Sequence, residues 1–260
     1  MQTIYCCRWA PSLGELDNTH ENVWDTVNYE YRKHKDMPTV FFGLYDLRDY
    51  IALWRHKGKK YVLWAGSDIR NLHNQFMFND GKLKRISQLF GGIPRFFRNY
   101  LHDHVEHWVE NEREQELLYR SIGVAANVGY SFLGKIDDYV PKFKASKFPH
   151  VYVSSGKDRQ KEYGFPIIDR IAQKVPFVTF HLYGANWKRK HQNIKIHGKV
   201  PRNAFNREIE GMQAGVRLNE FEGFSEIVAK AVLQGQAAIT RIPYEHMYSF
   251  ETDYILRIQS

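Results

Sequence analysis

Regular alternation between short strand-forming runs and helix-period runs is the feature that most restricts the fold of this chain. From residue 151 onward, five short runs are rich in β-branched and aromatic residues: VYVSS (151–155), FVTFHLYG (177–184), IKIHG (194–198), GVRLNEF (215–221) and AAITR (237–241). Between them, EYGFPIIDRIAQK, NAFNREIEGMQ and SEIVAKAVLQG have apolar residues at three-to-four spacing. This alternation predicts βα units around a parallel sheet, a Rossmann-like domain.

The first half of the chain alternates less regularly and predicts a second α/β domain. Its strand candidates are TIYCCRW, TVFFGLYD, KKYVLWAG and SIGVAANV, and its helix candidates are LRDYIALWRHK and HVEHWVENEREQELLYRS. A polar segment with two prolines, residues 137–149, separates the two patterns and is the predicted linker. We therefore expect two Rossmann-like α/β domains, residues 1–143 and 144–260, that face each other across a cleft holding the active site.

Composition and charge restrict the environment and the partners. The chain is 43% hydrophobic and 15% aromatic over 260 residues, which is enough for folded cores. It has no run of about eighteen apolar residues, and its first residues lack the regions of a signal peptide, so we expect a cytoplasmic protein. The net charge of +8 favours a polyanionic partner, either DNA or an anionic membrane surface on which the protein is peripheral.

Two turns in the second half combine glycine with cations. After the first strand of that half, SSGKDRQKEYG contains Gly156, Lys157, Arg159 and Lys161, and a loop of this kind can neutralise a diphosphate. After the third strand, residues 197–201 (HGKVP) form a short turn whose backbone can contact a planar base. An ordinary connection between strand and helix is the alternative interpretation of this second turn.

The stretch NEFEGFSEIVAKAVLQGQA, residues 219–237, places two acids and a glycine ahead of an apolar helix. Gly223 lets the backbone approach a ligand, and Ser225 is the predicted N-cap of a helix that begins near Glu226. The first N–H groups and the positive end of the helix dipole then form a site for phosphate or sugar hydroxyls, to which Glu220 and Glu222 add acceptors. Acids that only favour a helix N-terminus are the alternative interpretation.

The order of these features resembles the C-terminal domain of GT-B glycosyltransferases, in particular the large retaining group. The resemblance covers about residues 151–241, and the turn and helix EGFSEIVAKA are its most specific part. It implies a hexosyltransferase-type enzyme that moves a sugar from a nucleotide-diphospho-sugar to a hydroxyl acceptor, and we expect a UDP-linked donor and no bound cofactor. The sequence has no Asp-x-Asp pair, so we expect basic side chains, rather than a metal ion, to hold the diphosphate.

The resemblance also implies roles for individual residues. The expected donor-binding residues are Gly156, Lys157, Arg159, Lys161, Lys199, Val200, Gly223, Phe224, Ser225, Glu226 and Lys230. Glu222 is the first expected catalytic residue, and it faces the transferred sugar or its phosphates together with the N–H groups of Phe224 and Ser225. One position departs from the group: a second glutamate that holds the donor ribose is replaced by Lys230, which cannot accept those hydrogen bonds. Its side chain is expected to reach a phosphate or to extend to solvent.

The first half contributes one further candidate. Asp68 follows a strong strand in the turn WAGSD and is the second expected catalytic residue, orienting an acceptor hydroxyl; similar turns occur in N-terminal domains of some bacterial and viral glycosyltransferases. A role as N-cap of the following helix is the alternative. The close spacing of His102, His104 and His107 suggests a metal cluster. We favour a solvated helix face instead and expect no metal site.

The sequence leaves two classes of acceptor possible. Aromatic-flanked cationic loops at residues 54–57 and 94–100 fit a hydroxymethylated DNA base, as in phage DNA glycosyltransferases. They fit equally a glycan or lipid-linked sugar at an anionic membrane surface. A catalytically silent nucleotide-binding or DNA-binding protein of the same fold is the alternative to an enzyme, and Lys230 is the best argument for it.

Overall fold

The computed structural model describes residues 6–13, 26–78, 81–89, 91–131, 136–156, 159–184, 186–242, 244 and 248–249. Contacts within the chain divide it into two units, Met1–Leu133 and Gly134–Ser260, which we call unit 1 and unit 2. Among the described residues, no helix has both the length and the apolar character needed to cross a bilayer.

Unit 1 is built on a parallel sheet. Its described strands are β1 (Cys6–Trp9), β2 (Val27–Asn28), β3 (Thr39–Phe42), β4 (Lys60–Leu63), β5 (Glu106–Val109) and β6 (Asn127–Val128). Its described helices are α1 (Tyr31–His34), α2 (Leu47–Arg55), α3 (Ser67–His73), α4 (Gly81–Leu89), α5 (Arg95–His104) and α6 (Glu112–Ile122). The strand order is β2-β1-β3-β4-β5-β6, which is the flavodoxin-like order of a doubly wound sheet.

Two segments of unit 1 differ from the prediction. HVEHWVENEREQELLYRS was predicted as one helix, but Glu106–Val109 forms β5 and α6 begins only after Asn111, whose side chain accepts the N–H of Glu114 at 3.0 Å. SIGVAANV was predicted as a strand, but α6 continues to Ile122 and β6 is limited to Asn127–Val128. Both differences arise because a short apolar run fits either period, and pairing with the neighbouring strand decides between them.

Unit 2 is also built on a parallel sheet. Its described strands are β7 (His150–Ser154), β8 (Thr179–Tyr183), β9 (Ile194–Gly198), β10 (Ala214–Arg217), β11 (Ala237–Thr240) and β12 (Tyr248–Ser249). Its described helices are α7 (Phe165–Lys174), α8 (Arg202–Glu208) and α9 (Glu226–Leu233). The strand order β12-β11-β10-β7-β8-β9 is the 3-2-1-4-5-6 order of the Rossmann fold, and it reverses between β7 and β10.

Both faces of the unit 2 sheet are covered, which explains why its strands read as apolar runs. On one face, Val153, Leu182 and Val216 pack with Phe165 and Ile168 of α7. On the other face, the strand residues Tyr152 and Tyr183 pack in one cluster with α8, α9 and the turn after α8, which contribute Phe205, Ile209, Val228 and Ala231. The predicted parallel α/β fold of this half is thus confirmed by the pairing of its strands.

The polar segment predicted as a linker packs on unit 2. The backbone N–H of Lys142 donates to the carbonyl of Gln234 at 3.1 Å, and Nζ of Lys142 lies 2.9 Å from Oε1 of Glu210. Nε2 of Gln213 donates to the carbonyl of Lys144 at 2.9 Å. The predicted boundary between residues 143 and 144 lies inside this packed segment, and the contacts place the division between residues 133 and 134.

Candidate functional site

Most of the predicted site residues of unit 2 collect at the carboxyl ends of β7 and β10. Gly156 and Arg159 follow β7, whereas Glu222, Gly223 and Ser225 follow β10. These strands are neighbours in the sheet, and the strand order reverses between them. Ligands of doubly wound sheets bind at such a switch point, so these predicted residues lie at the ligand-binding end of the sheet. Lys157 lies outside the described residues.

Arg217, the last residue of β10, holds the two sides of this switch point together. Its Nε donates to Oε2 of Glu222 at 2.6 Å, its Nη2 donates to Oε1 of the same carboxylate, and its Nη1 donates to the carbonyl of Ser154 at 3.0 Å. A ligand at Glu222 therefore meets an arginine-paired carboxylate rather than a free acid. Sequence analysis missed Arg217 because it extended β10 to residue 221 and so placed the arginine inside a strand.

A second arginine adds positive charge at the same place. The guanidinium carbons of Arg217 and Arg159 lie 3.7 Å and 5.2 Å from the centroid of the Tyr163 ring. Arg159 also donates to both carboxylate oxygens of Glu162, and this hydrogen bonding raises the pKa of the guanidinium group. Lys161 is exposed on the same loop. Two guanidinium groups thus contact one aromatic ring, and each is paired with a glutamate, Arg217 with Glu222 and Arg159 with Glu162.

The loop after β7 is closely packed and contains an unpartnered polar atom. Gly164 has φ of 86°, and a Cβ at this position would lie 2.6 Å from Cβ of Leu218. A Cβ on Gly184 would lie 1.9 Å from the carbonyl oxygen of Ser155. Ser155 Oγ and Asn219 Oδ1 are buried, and neither has a hydrogen-bond partner in the part of the chain that the structure describes. Buried polar atoms without a partner are rare, so these two are candidates to bind a ligand.

Tyr244 fixes the turn ahead of α9. Its hydroxyl accepts the N–H of Ser225 at 3.1 Å and donates to the carbonyl of Gly223, and its ring packs edge to face on Phe224. Ser225 is the N-cap of α9, as predicted, and its Oγ accepts the N–H of Val228 at 3.4 Å. The N–H of Ser225, expected to face the transferred sugar or its phosphates, donates to the Tyr244 hydroxyl in this arrangement.

Lys230 does not extend to solvent, contrary to one of the two expectations for it. The side chain is buried, and its Nζ lies 3.8 Å from Oε2 of Glu226 and 5.2 Å from the ring centroid of Phe205. Nη2 of Arg202 lies 3.7 Å from the same carboxylate oxygen. Burial lowers the pKa of Lys230 to about 8. Glu226 is therefore held between two cations at the start of α9.

The turn after β9 contributes one exposed and one packed residue. Lys199 is exposed, whereas Val200 packs against the apolar cluster of Phe205 on the α8 face of the sheet. This turn precedes α8, which begins at Arg202. Arg202 and Phe205 therefore link the turn to Glu226 and Lys230.

Asp68 has a structural role in unit 1. It is fully buried, and its two carboxylate oxygens accept the backbone N–H groups of Leu44, Ala65 and Ile69 at 2.8 to 3.0 Å. Burial raises the pKa of this carboxyl group to about 6. A role in orienting an acceptor hydroxyl needs an exposed oxygen, which Asp68 lacks, so this expectation is corrected. The N-cap of α3 is Gly66, and Asp68 lies in the first turn.

The three histidines predicted to lie on one helix face do not share it. His102 and His104 end α5 and are exposed, whereas His107 lies on β5 and is buried. Its Nδ1 accepts the indole N–H of Trp64 at 3.2 Å, its Nε2 lies 3.1 Å from the carbonyl of Leu101, and burial lowers its pKa to about 4. No group of three or more metal-ligating side chains was found among the described residues.

Comparisons with known proteins identify the fold. The chain matches no model of a known protein family, and a search among curated proteins finds no match. The structure of TarM matches with a TM-score of 0.57 and 16% identity over 85% of this chain and 46% of that one. The GtfA/B complex matches with a TM-score of 0.53 and 13% identity over 85% of this chain and 50% of that one. Sucrose-phosphate synthase from Thermosynechococcus elongatus matches with a TM-score of 0.52 and 10% identity, over 78% of this chain and 55% of that one.

These structures are GT-B glycosyltransferases, and the chain has their fold. The predicted fold class is thereby confirmed. The chain spans about half the length of the solved structures that it matches.

Proposed function

We propose that the protein is a glycosyltransferase that moves a sugar from a nucleotide-diphospho-sugar to a hydroxyl acceptor. The observation that supports it is the meeting of Arg159, Arg217 and the capped start of α9 at the switch point of a Rossmann sheet. When the bond between sugar and diphosphate breaks, negative charge grows on the diphosphate. Fixed guanidinium groups and helix N–H groups stabilise that charge without having to reorganise.

A UDP-linked donor is part of this proposal. One of the matching structures, a variant of S. aureus TarM, contains UDP and alpha-GlcNAc-glycerol, and it superposes with a TM-score of 0.55. In the proposal, the diphosphate is bound by Gly156, Arg159 and Lys161. The nucleotide base lies against Lys199 and Val200. The predicted roles of Lys157, Gly223 and Phe224 in donor binding remain predictions, as do the catalytic role of Glu222 and a cytoplasmic location.

The environment of Lys230 supports a different way of holding the donor ribose. The group that the sequence resembles uses a glutamate at this position, and a lysine cannot accept hydrogen bonds from hydroxyls. Glu226 lies one helical turn earlier and is held by Lys230 and Arg202. We propose that Glu226 accepts the ribose hydroxyls in place of the missing glutamate and that Lys230 positions it.

Thermal unfolding in the presence of UDP-, GDP-, ADP- and CDP-sugars tests the donor site. A ligand present at about 100 times its Kd stabilises a protein by about 2.7 kcal/mol, so the matching donor should raise the Tm by several degrees. Arg159→Gln should lose this shift, whereas Arg170→Gln, which changes an exposed cation of α7, should keep it. Because basic side chains replace a metal ion in the proposal, the shift should persist in EDTA.

Turnover separates an enzyme from a silent binding protein. Release of the nucleotide diphosphate from the donor that gave the shift, with or without added acceptor, supports transfer chemistry. A shift without any release supports the silent nucleotide-binding alternative. The absence of a shift with every donor, together with a salt-dependent shift with duplex DNA, would contradict the proposal and favour a DNA-binding protein.

A further inference from the structure

Unit 1 has an open apolar groove lined by α2, α4 and α5. Its volume is about 410 Å³, and its lining includes Leu47, Ile51, Trp54, Ile86, Phe96 and Phe97. The α2 residues of the lining follow the three-to-four spacing of one helix face. Within this lining, Tyr50 packs edge to face on Phe78 and Phe97, with ring centroids 5.7 Å and 5.5 Å apart.

The rim of the groove exposes large apolar side chains. Trp54 is 61% exposed and Phe96 is 73% exposed, and Ile86 of α4, which also lines the groove, is exposed as well. Isolated apolar residues on a surface need no explanation, but a contiguous set around a groove marks an interaction site. The two aromatic side chains are thus available to a partner on this face of unit 1.

The helices that line this groove are rich in cations. Residues 47–55 and 81–104 contain seven Lys and Arg against two Asp and Glu, a net charge of 7 − 2 = +5. One of the two acids, Asp49, is buried and pairs with Arg8 at 2.7 Å. The exposed cations of the three helices are Arg48, Arg55, Lys82, Arg85, Arg95 and Arg98. The partner of this surface must therefore be both apolar and anionic.

We propose that the groove binds the protein to an anionic phospholipid bilayer, with Trp54 and Phe96 in the interface and an acyl chain between α2, α4 and α5. Aromatic side chains favour the interface, and each cation near an anionic surface adds attraction. A nucleic acid would use the cations but would leave the apolar groove unfilled. The inference deepens the proposed function, on which it rests for one point: the acceptor would be a lipid-linked molecule reached at the membrane.

Co-sedimentation with vesicles tests this inference. Wild-type protein should bind vesicles of phosphatidylcholine mixed with phosphatidylglycerol and should bind pure phosphatidylcholine much more weakly. The double variant Trp54→Ser/Phe96→Ser should bind the anionic vesicles at least about tenfold more weakly, because it lacks the two exposed aromatic side chains that would enter the bilayer interface. The matched control Phe148→Ser/Phe177→Ser changes side chains of unit 2 that are 67% and 52% exposed, and it should bind as the wild type does.

The cations of α5 are tested by Arg95→Gln and Arg98→Gln, each of which should weaken binding to anionic vesicles about fivefold. All the substituted residues are exposed, so circular dichroism should show folded protein in every case. Equal binding by wild type and the Trp54/Phe96 variant would overturn the inference. Salt-dependent binding to duplex DNA without binding to either vesicle would also overturn it. Because no nucleotide-sugar is added, a failure of the donor proposal leaves these results unaffected.

Discussion

Two arginine–glutamate pairs flank the turn after β10, and they differ in burial. The side chains of Arg217 and Glu222 are 12% and 18% exposed, whereas those of Arg241 and Glu220 are 29% and 60% exposed. A pair with little exposure loses much when one partner is removed, because the remaining charge stays in a poorly solvated place. An exposed pair loses little, since water replaces the missing partner.

Arg217→Met should therefore lower the free energy of unfolding by about 2 to 4 kcal/mol. It leaves the Glu222 carboxylate without its arginine and removes the hydrogen bond to the carbonyl of Ser154. Arg241→Met is the matched control and should cost less than about 1 kcal/mol. Urea unfolding of both variants measures the difference, and equal costs would show that Arg217 does not hold the switch point together.

At the scale of single residues, local chemistry was predictable and long-range partners were not. Ser225 was recognised as an N-cap because the cap, the acid after it and the apolar run lie within a few residues of each other. Its second partner, Tyr244, is 19 residues away, and no local pattern relates the two. Asp68 was predicted to orient an acceptor hydroxyl because its place at the carboxyl end of a strand is visible in the sequence, whereas its hydrogen bond from the Leu44 N–H, 24 residues away, is not.

At the scale of elements, three histidines form a row across neighbouring strands of unit 2. Nδ1 of His150 lies 2.8 Å from Nε2 of His181, and Nδ1 of His181 lies 2.9 Å from Nε2 of His197. Nδ1 of His197 lies 3.3 Å from a carboxylate oxygen of Glu208. A carboxylate only accepts hydrogen bonds. Three neutral rings therefore make all three hydrogen bonds of the row when each Nδ1–H donates toward Glu208.

This row should make the protein less stable in mild acid. Burial lowers the pKa of His181 to about 4, with His197, His150 and Lys195 adding unfavourable positive charge, and burial also lowers the pKa of His197. In the unfolded chain a histidine has a pKa of about 6.5. Between about pH 6.5 and pH 4 the unfolded chain then binds protons that the folded chain does not, so the free energy of unfolding falls as the pH falls.

Each such histidine contributes up to about 1.4 kcal/mol per pH unit in that window. Urea unfolding at pH 7 and pH 5 measures the effect, and His181→Gln should show a smaller loss than the wild type because one buried titrating group is gone. His107 is buried in unit 1 and should contribute in both proteins. A loss in His181→Gln as large as in the wild type would mean that the row does not titrate as described.

The elements themselves were predicted best where both ends have a local signal. β9 has the predicted bounds, Ile194–Gly198, and α9 begins at Glu226 because Ser225 caps it. β10 was extended too far, since LNEF alternates like a strand although the paired segment ends at Arg217. Alternation shows that a segment can be a strand, but only the position of a neighbouring strand decides where its pairing ends.

For the whole molecule, the sequence predicted two α/β units but not their strand orders. Unit 1 has the order β2-β1-β3-β4-β5-β6 and unit 2 has the Rossmann order. Both orders are compatible with the same βα alternation, because right-handed crossovers allow a strand to pair on either side of the first one. The strand order sets the position of the switch point. The sequence alone therefore could not show that Arg217 of β10 lies next to β7 at this point.

The two proposed ligands should protect different units from hydrogen exchange. A nucleotide-sugar at about 100 times its Kd should slow exchange at residues 159–164 and 223–228. The slowing should reach about 100-fold for amides whose local unfolding requires the donor to dissociate. Anionic vesicles should instead slow exchange in α2, α4 and α5, because those helices line the apolar groove. Mass spectrometry of peptides from the full chain, measured with each ligand separately, distinguishes the two patterns.

A core strand of each unit provides the internal reference for this measurement. Val62 on β4 and Val153 on β7 are fully buried, so their amides exchange through larger openings and should change least with either ligand. If the nucleotide-sugar slowed exchange in α2 and α5 as strongly as at residues 159–164, the groove of unit 1 would belong to the donor site. The cations around it would then bind donor phosphate rather than lipid, and the assignment of one ligand to each unit would be wrong.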